Sequence, residues 1–259
     1  FYPVQYEGEE SSENVFYTGA APNQQAIPAV EYLINQVGIE RFALVGTDYV
    51  YPRTTNRILE AFLKDEHGIA DEDIMVNYTP FGHSDWQNIV AEIRRFGEEG
   101  KPTAVISTVN GDANVPFYTE LSNQGIDAAD IPVIAFSVGE QELTGIDTAP
   151  LVGHLAAWNY FMSVDNDDNY DFIDAWIEYT GDDMAVTNDP MEAHYIGFNM
   201  WAEAVRKAGT TDVDAVKDAI IGVTVPNLSG GYAAMMPNHH ITKPVLIGEI
   251  QDNGQFDIV

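Results

Sequence analysis

The sequence predicts an α/β protein of two lobes with parallel sheets flanked by helices. Three observations carry that prediction. Short apolar runs alternate with amphipathic stretches through the first 160 residues, which is the pattern of strands joined by helical crossovers. A polar break at 164–170 (VDNDDNY) is followed by a purely helical period. The tail then returns to strands, so the chain is expected to cross between two bodies more than once.

In chain order, residues 1–19 hold a strand-like Val15-Phe16-Tyr17 without a partner of its own, and they read as a late piece of a unit that begins upstream. Ile27, Val30, Leu33, Ile34 and Val37 define a helix over 24–37 that stops at Gly38. The organising stretch follows, Arg41-Phe-Ala-Leu-Val-Gly-Thr-Asp-Tyr-Val-Tyr-Pro-Arg53. Residues 42–45 are apolar enough for a strand buried on both faces, and Gly46 is expected to break it. Thr54 or Thr55 is expected to cap a helix carrying Ile58, Leu59, Phe62 and Leu63.

Further strands are expected over 74–81, 103–109, 132–138 and 154–161, with helices over 85–96 and 115–124. After the polar break come helices over 170–179, 190–208 and 212–221. Pro190 suits a first helical turn behind Asn188 or Asp189, and Gly209 a stop. Strands over 231–236, 245–250 and 256–259 close the chain, the last two joined by an Asn253-Gly254 turn.

Composition narrows the function. The 259 residues carry 41 acidic and 11 basic side chains, a formal charge of -30. A nucleic-acid partner needs a Lys/Arg footprint that this chain lacks. Acid spread along the whole sequence fits a surface adapted to salt, where screening makes the self-repulsion tolerable. Absence of cysteine excludes disulfides, zinc–cysteine sites and thiol nucleophiles. No apolar run reaches the ~18 residues a membrane span needs.

The expected site lies where parallel strands end, since ligands in open α/β sheets bind beyond the strands' carboxyl ends. Three polar turns share that edge: Thr47-Asp48-Tyr49 with Tyr51, Asn110-Gly111-Asp112, and Ser137-Val138-Gly139-Glu140. Asp48, Asn110 and Asp112 also suit plain helix caps. Phenols and carboxylates without a glycine cradle point to a small polar organic molecule rather than a phosphate. The chain has no Gly-x-Ser-x-Gly elbow, no Gly-x-Gly-x-x-Gly and no Walker loop. His239-His240 lacks neighbouring carboxylates at ligand spacing, so no metal and no cofactor are expected. His194, beside Tyr195 and near Trp201, reads as a packed core histidine, as Trp158, Tyr160 and Phe161 read as core.

Several long stretches carry a family likeness: FYPVQYEGEESSENVFYTGAAPNQQ, GTDYVYPR, STVNGDANV, GHLAAWNYF, TNDPMEAHYIG and PNHHITKPVLIGEI. Together they resemble the periplasmic solute-binding proteins of urea and short-chain-amide ABC transporters, within the type I periplasmic binding protein (Leu/Ile/Val-binding-like) superfamily. The resemblance implies one lobe from 1–20 and 162–240, a second from 21–161 and 241–259, and opening elements of the first lobe lying before this sequence. It implies a periplasmic or other extracytoplasmic protein that binds a small neutral ligand and delivers it to an ABC permease, touching the membrane only through that permease. By position, Tyr2 and the adjacent Val4-Gln5 match the first-lobe wall of the amide site, and Tyr49 the second-lobe tyrosine reaching across, with Tyr51 behind it. Val4-Gln5 stands where related amide receptors carry Thr-Pro. Asn110, Asp112, Ser137 and Glu140 complete the expected set. The same fold also serves amide-sensing regulators, the alternative reading, while an amidohydrolase is a third.

Overall fold

The computed structural model describes residues 12–98, 100–144 and 147–259. Its centre is a seven-stranded sheet in the order β2-β1-β3-β4-β5-β8-β9. These strands are β1 (Arg41–Thr47), β2 (Ile74–Thr79), β3 (Thr103–Thr108), β4 (Val133–Ala135), β5 (Leu155–Trp158), β8 (Leu246–Ile250) and β9 (Phe256–Ile258). The first five run parallel, whereas β8 and β9 are antiparallel, so the sheet is mixed rather than wholly parallel. Consecutive β8 and β9 meet through a tight hairpin at Gly254, φ +77°, as the Asn-Gly pair predicts. No helix is needed there, and an antiparallel edge results.

Every residue of β1 is buried, as a central parallel strand requires. Gly46 does not break it. The strand continues to Thr47, and a Cβ at Gly46 would collide with Thr108 Oγ1 and lie 2.8 Å from Pro52 Cβ. The glycine is there for close packing of strand against strand and helix.

Two apolar layers cover the sheet. On one face, α1 (Ala26–Tyr32), extended by a π turn over Leu33–Val37 to the left-handed Gly38, joins α2 (Val50–Asp65) over Phe42, Leu44, Ile106 and Ile134. On the other, α3 (Gln87–Gly97) and α4 (Asn114–Asn123) cover Val45, Val105 and Val133. A short α5 (Glu140–Leu143) follows β4. The expected caps at Thr54 or Thr55 are absent: α2 starts at Val50 behind an extended Tyr49, and Thr55 is buried inside the helix.

Outside the sheet lies a helical body of α6 (Asp167–Thr180), α7 (Asp189–Ala208) and α8 (Val213–Ile220). Asn166, Asn188 and Asp212 each accept an N-terminal backbone N–H, and Gly181 and Gly209 close α6 and α7 in the left-handed region. A ribbon of β6 (Thr224–Pro226) and β7 (Tyr232–Ala234) packs with α7 and α8 around Ile196, Met200, Val225 and Met235. The sequence reading foresaw β7 but not β6, whose Thr-Val-Pro ends in a residue that strands seldom hold. Tyr17 pairs in parallel with His240 against this body.

His194 corrects the reading of a core histidine. It is exposed on α7 and its ring N–H donates to Pro190 O at 2.6 Å, while the helix buries Ala193, Ile196 and Met200. The aromatic neighbours that suggested burial are themselves half exposed, Tyr195 at 45% and Trp201 at 46%. Tyr160 and Phe161 are fully buried, as expected.

Candidate functional site

Parallel pairing of β1 with β2 and β3, and of β3 with β4, brings the turns after all four strands to one edge. Hydrogen bonds lace those turns. Asp48 N–H donates to Thr79 O at 2.7 Å, and Asn110 N–H to Thr47 Oγ1 at 3.0 Å. Neither Asp48 nor Asn110 caps a helix with its side chain. Asp48 receives Arg53 Nε at 2.5 Å, which holds its carboxyl below the usual range, and the Asn110 amide turns back to Thr108 O at 2.9 Å.

Tyr49 leaves β1 with extended backbone, φ -159°, and its ring is half-buried. Its centroid stands 5.9 Å from Tyr51 and 4.9 Å from Phe81. Burial raises both phenols above their ordinary range, so each is a neutral O–H at physiological pH. Ser137, two residues past β4, lies beside the Tyr51 phenol. Thus Tyr49, Tyr51, Asn110 and Ser137 gather on one edge, as flat aromatic walls beside hydroxyl and amide groups.

Phe81 belongs to this group and was not foreseen. The sequence reading assigned it to the end of a strand, but β2 stops at Thr79 and Gly82, φ +68°, turns the chain, leaving Phe81 63% exposed against Tyr49. A signal was present in Pro80-Phe81-Gly82, an aromatic between two turn formers.

Asp112 and Glu140 stand apart. Asp112 is exposed in the first turn of a short 3-10 segment, Gly111–Ala113, and borders a groove of about 330 Å³ with Asn114, Val138, Gln141 and Glu142. Glu140 is 1% exposed; its Oε1 accepts Met162 N–H at 2.5 Å, and burial pushes its carboxyl up to about 8 against that hydrogen bond. Tyr2 and Gln5 lie outside the described residues. His239 and His240 stack on Phe16 and Tyr17, at 4.2 and 4.5 Å, in the helical body. A larger groove of about 480 Å³ lies there too, between residues 15–19 and Ala193, Gly197, Phe198 and Trp201 of α7.

Comparison with known proteins bears on the family and the fold. The family described as periplasmic binding protein domain matches residues 1–259. Among solved structures, the chain is similar to a solute-binding protein of an ABC transporter from Rhodopseudomonas palustris HaA2, in complex with p-hydroxybenzoic acid. The TM-score is 0.78 and the identity 20%, over 94% of this chain and 64% of that one. It is also similar to a leucine binding protein from Thermotoga maritima, with TM-score 0.72 and 17% identity over 95% of this chain and 67% of that one. These likenesses show the fold. The chain thus spans about two thirds of the length of the solved proteins it matches. A protein named limonene hydroxylase from Geobacillus stearothermophilus is 32% identical over 107 residues, 41% of this chain and 19% of that one.

Proposed function

Because the chain belongs to the periplasmic binding protein domain family, we propose that it is an extracytoplasmic solute-binding protein that captures urea or a short-chain amide between two lobes and hands it to an ABC permease. Binding, not turnover, is its activity. The observation that carries this reading is the grouping of neutral phenols, a serine hydroxyl and an amide on one sheet edge.

Urea and small amides are flat and uncharged, with N–H donors around one strong carbonyl acceptor. A complementary site needs flat walls and in-plane acceptors, with one or two donors at the carbonyl. A tyrosine serves as wall, donor and acceptor together. Tyr49 and Tyr51 take these parts and Asn110 and Ser137 add polar groups; Tyr2 and Gln5, which the family resemblance assigns to the site, lie outside the described residues. Asp112 is an acceptor at the rim, whereas Glu140, sealed against Met162 N–H, stands apart from the phenols. The proposed lobes are 1–20 with 162–240 and 21–161 with 241–259; the core divides near these bounds, with Val164 packed in a sheet cluster and Ile241 in the helical one. Ile196, Met200, Val225 and Ile241 form one apolar cluster, while the sheet carries two others. Differential affinity for the closed arrangement then drives the lobes together.

An aromatic carboxylate would fit the ring pair Tyr49–Phe81, but it finds no spare cation among the described residues of these turns. Arg53, the basic residue at these turns, is already bound to Asp48. A neutral ligand suits the charge balance better. The acid spread along the chain supports a high-salt exterior as its setting.

Calorimetric titration with urea, acetamide, formamide and 4-hydroxybenzoate tests the reading. At a ceiling of about 1.5 kcal/mol per heavy atom, urea can gain roughly 6 kcal/mol, so the expected Kd is tens of micromolar. Tyr49→Phe should weaken binding several-fold and Tyr49→Ala should abolish it. Unchanged affinity in both variants would remove Tyr49 from the site.

A further inference from the structure

The chain passes between sheet body and helical body three times, near residues 20–24, 159–164 and 241–245. Residues before and after each passage belong to different apolar clusters. Buried polar side chains bind these passages to one another. Asn159, 1% exposed, directs its two amide N–H groups to Gln24 O at 2.8 Å in the first passage and Pro244 O at 2.7 Å in the third. Its backbone N–H donates to Asp189 Oδ1 at 2.9 Å, and its carbonyl accepts Ser229 Oγ at 2.6 Å. Gln24 returns the connection, its amide donating to Ile241 O at 2.7 Å. In the first turn of α7, Asp189 therefore holds the second passage, and Glu192 forms an ion pair with Lys243 of the third, both side chains all but sealed from solvent.

We propose that Asn159 is the positioning residue of a pivot: with Asp189, Glu192 and Lys243 it fixes the first turn of α7 as the point about which the helical body rotates against the sheet. Buried hydrogen bonds and ion pairs are costly to break without a replacement partner. Rotation that preserves them is therefore favoured over rotation that parts them. Elsewhere the two bodies meet through an open groove of about 350 Å³ between residues 183–186 and 252–255, which leaves room for angular change. The proposal draws on the interlobe reading only for its consequence, that this pivot sets how many molecules stand ready for ligand.

The chain has no cysteine, so two introduced ones report the angle directly. Exposed Arg57 on α2 and Glu178 on α6 serve as positions, Arg57→Cys and Glu178→Cys carrying spin labels for pulsed distance measurement without ligand. The parent should give one narrow distance. Asn159→Leu, which removes both amide donors at similar volume, should broaden it about twofold. Ser229→Ala, which removes only the hydroxyl held by the Asn159 carbonyl, should broaden it less. Melting is followed alongside. If the variants melt lower but keep the parent distance distribution, Asn159 is a packing residue only and the pivot is overturned. If Asn159→Leu fails to fold, Ser229→Ala decides, and an unchanged distribution overturns the proposal. Adding urea to the labelled parent separates the two ideas: a missing contraction sinks the interlobe ligand reading and leaves the ligand-free comparison standing.

Discussion

The carboxyl of Glu140 is buried with one oxygen on Met162 N–H and the other without a hydrogen-bond partner among the described residues. Its pKa rises from an ordinary 4.5 to about 8. Below about 4.5 both folded and unfolded states are protonated. As pH climbs from there the unfolded chain releases its proton while the folded one keeps it, so stability falls until about pH 8 and then levels. Glu140→Gln should remove that decline, and the variant should exceed the parent by an amount on the order of 3–5 kcal/mol at pH 9, checked by thermal melts at pH 5, 7 and 9. Nothing in the sequence marks this carboxyl as buried, because its seclusion depends on the passage at 159–164 folding over it. The place of Tyr49 at the sheet edge, by contrast, was legible, because it follows closely on a buried strand. Phe81 was missed because its strand stops two residues sooner than its apolar pattern suggests. His194 misled because nearby aromatics were taken for a core when both are half exposed and Trp201 lines an open groove.

Single elements were legible wherever a local rule decides them. The caps at Asn188 and Asp212, the stop at Gly209 and the hairpin at Gly254 depend on residues within a turn of one another. Where a distant neighbour decides, sequence reasoning went astray, as at Gly46. That glycine looked like a terminator, yet its lack of a side chain admits Thr108 and Pro52 from two other elements. Gly46→Ala should destabilise the protein by about 2–4 kcal/mol through overpacking, measured by denaturant melts. Adding Thr108→Ala should recover part of the loss by removing the nearer of the two obstructing atoms. The Glu192–Lys243 pair invites a parallel test. Lys243→Met alone should cost about 3–5 kcal/mol, because it strands Glu192, whereas Lys243→Met with Glu192→Leu should cost much less. Equal losses in the single and double variants would show that the lysine matters through packing alone.

At the scale of the whole molecule, alternation of strand and helix revealed the α/β class, and the change of period after residue 164 marked where the helices α6 to α8 begin. The antiparallel β8 and β9 were legible as strands from the residues themselves, but their company with 21–161 came only from the family resemblance, since it depends on a long-range pairing, Leu155 with Glu249. Net charge acts at this scale too. With -30 on one chain, repulsion among surface carboxylates opposes compaction, and the screening length shrinks from about 10 Å at 0.1 M salt to about 3 Å at 1 M. Melting temperature should therefore climb steadily between 0.1 and 2 M sodium chloride. A flat response would mean that the acid is already neutralised by local pairing.

The late pairing of β8 with β5 also matters while the polypeptide is being made. Translation completes Leu155–Trp158 long before Leu246–Ile250 emerges from the ribosome. Throughout that interval the apolar Leu-Ala-Ala-Trp edge offers unpaired backbone groups to any neighbouring nascent chain. Slow elongation across the intervening helices would lengthen the hazard, making this margin of the sheet a natural place for a chaperone to act.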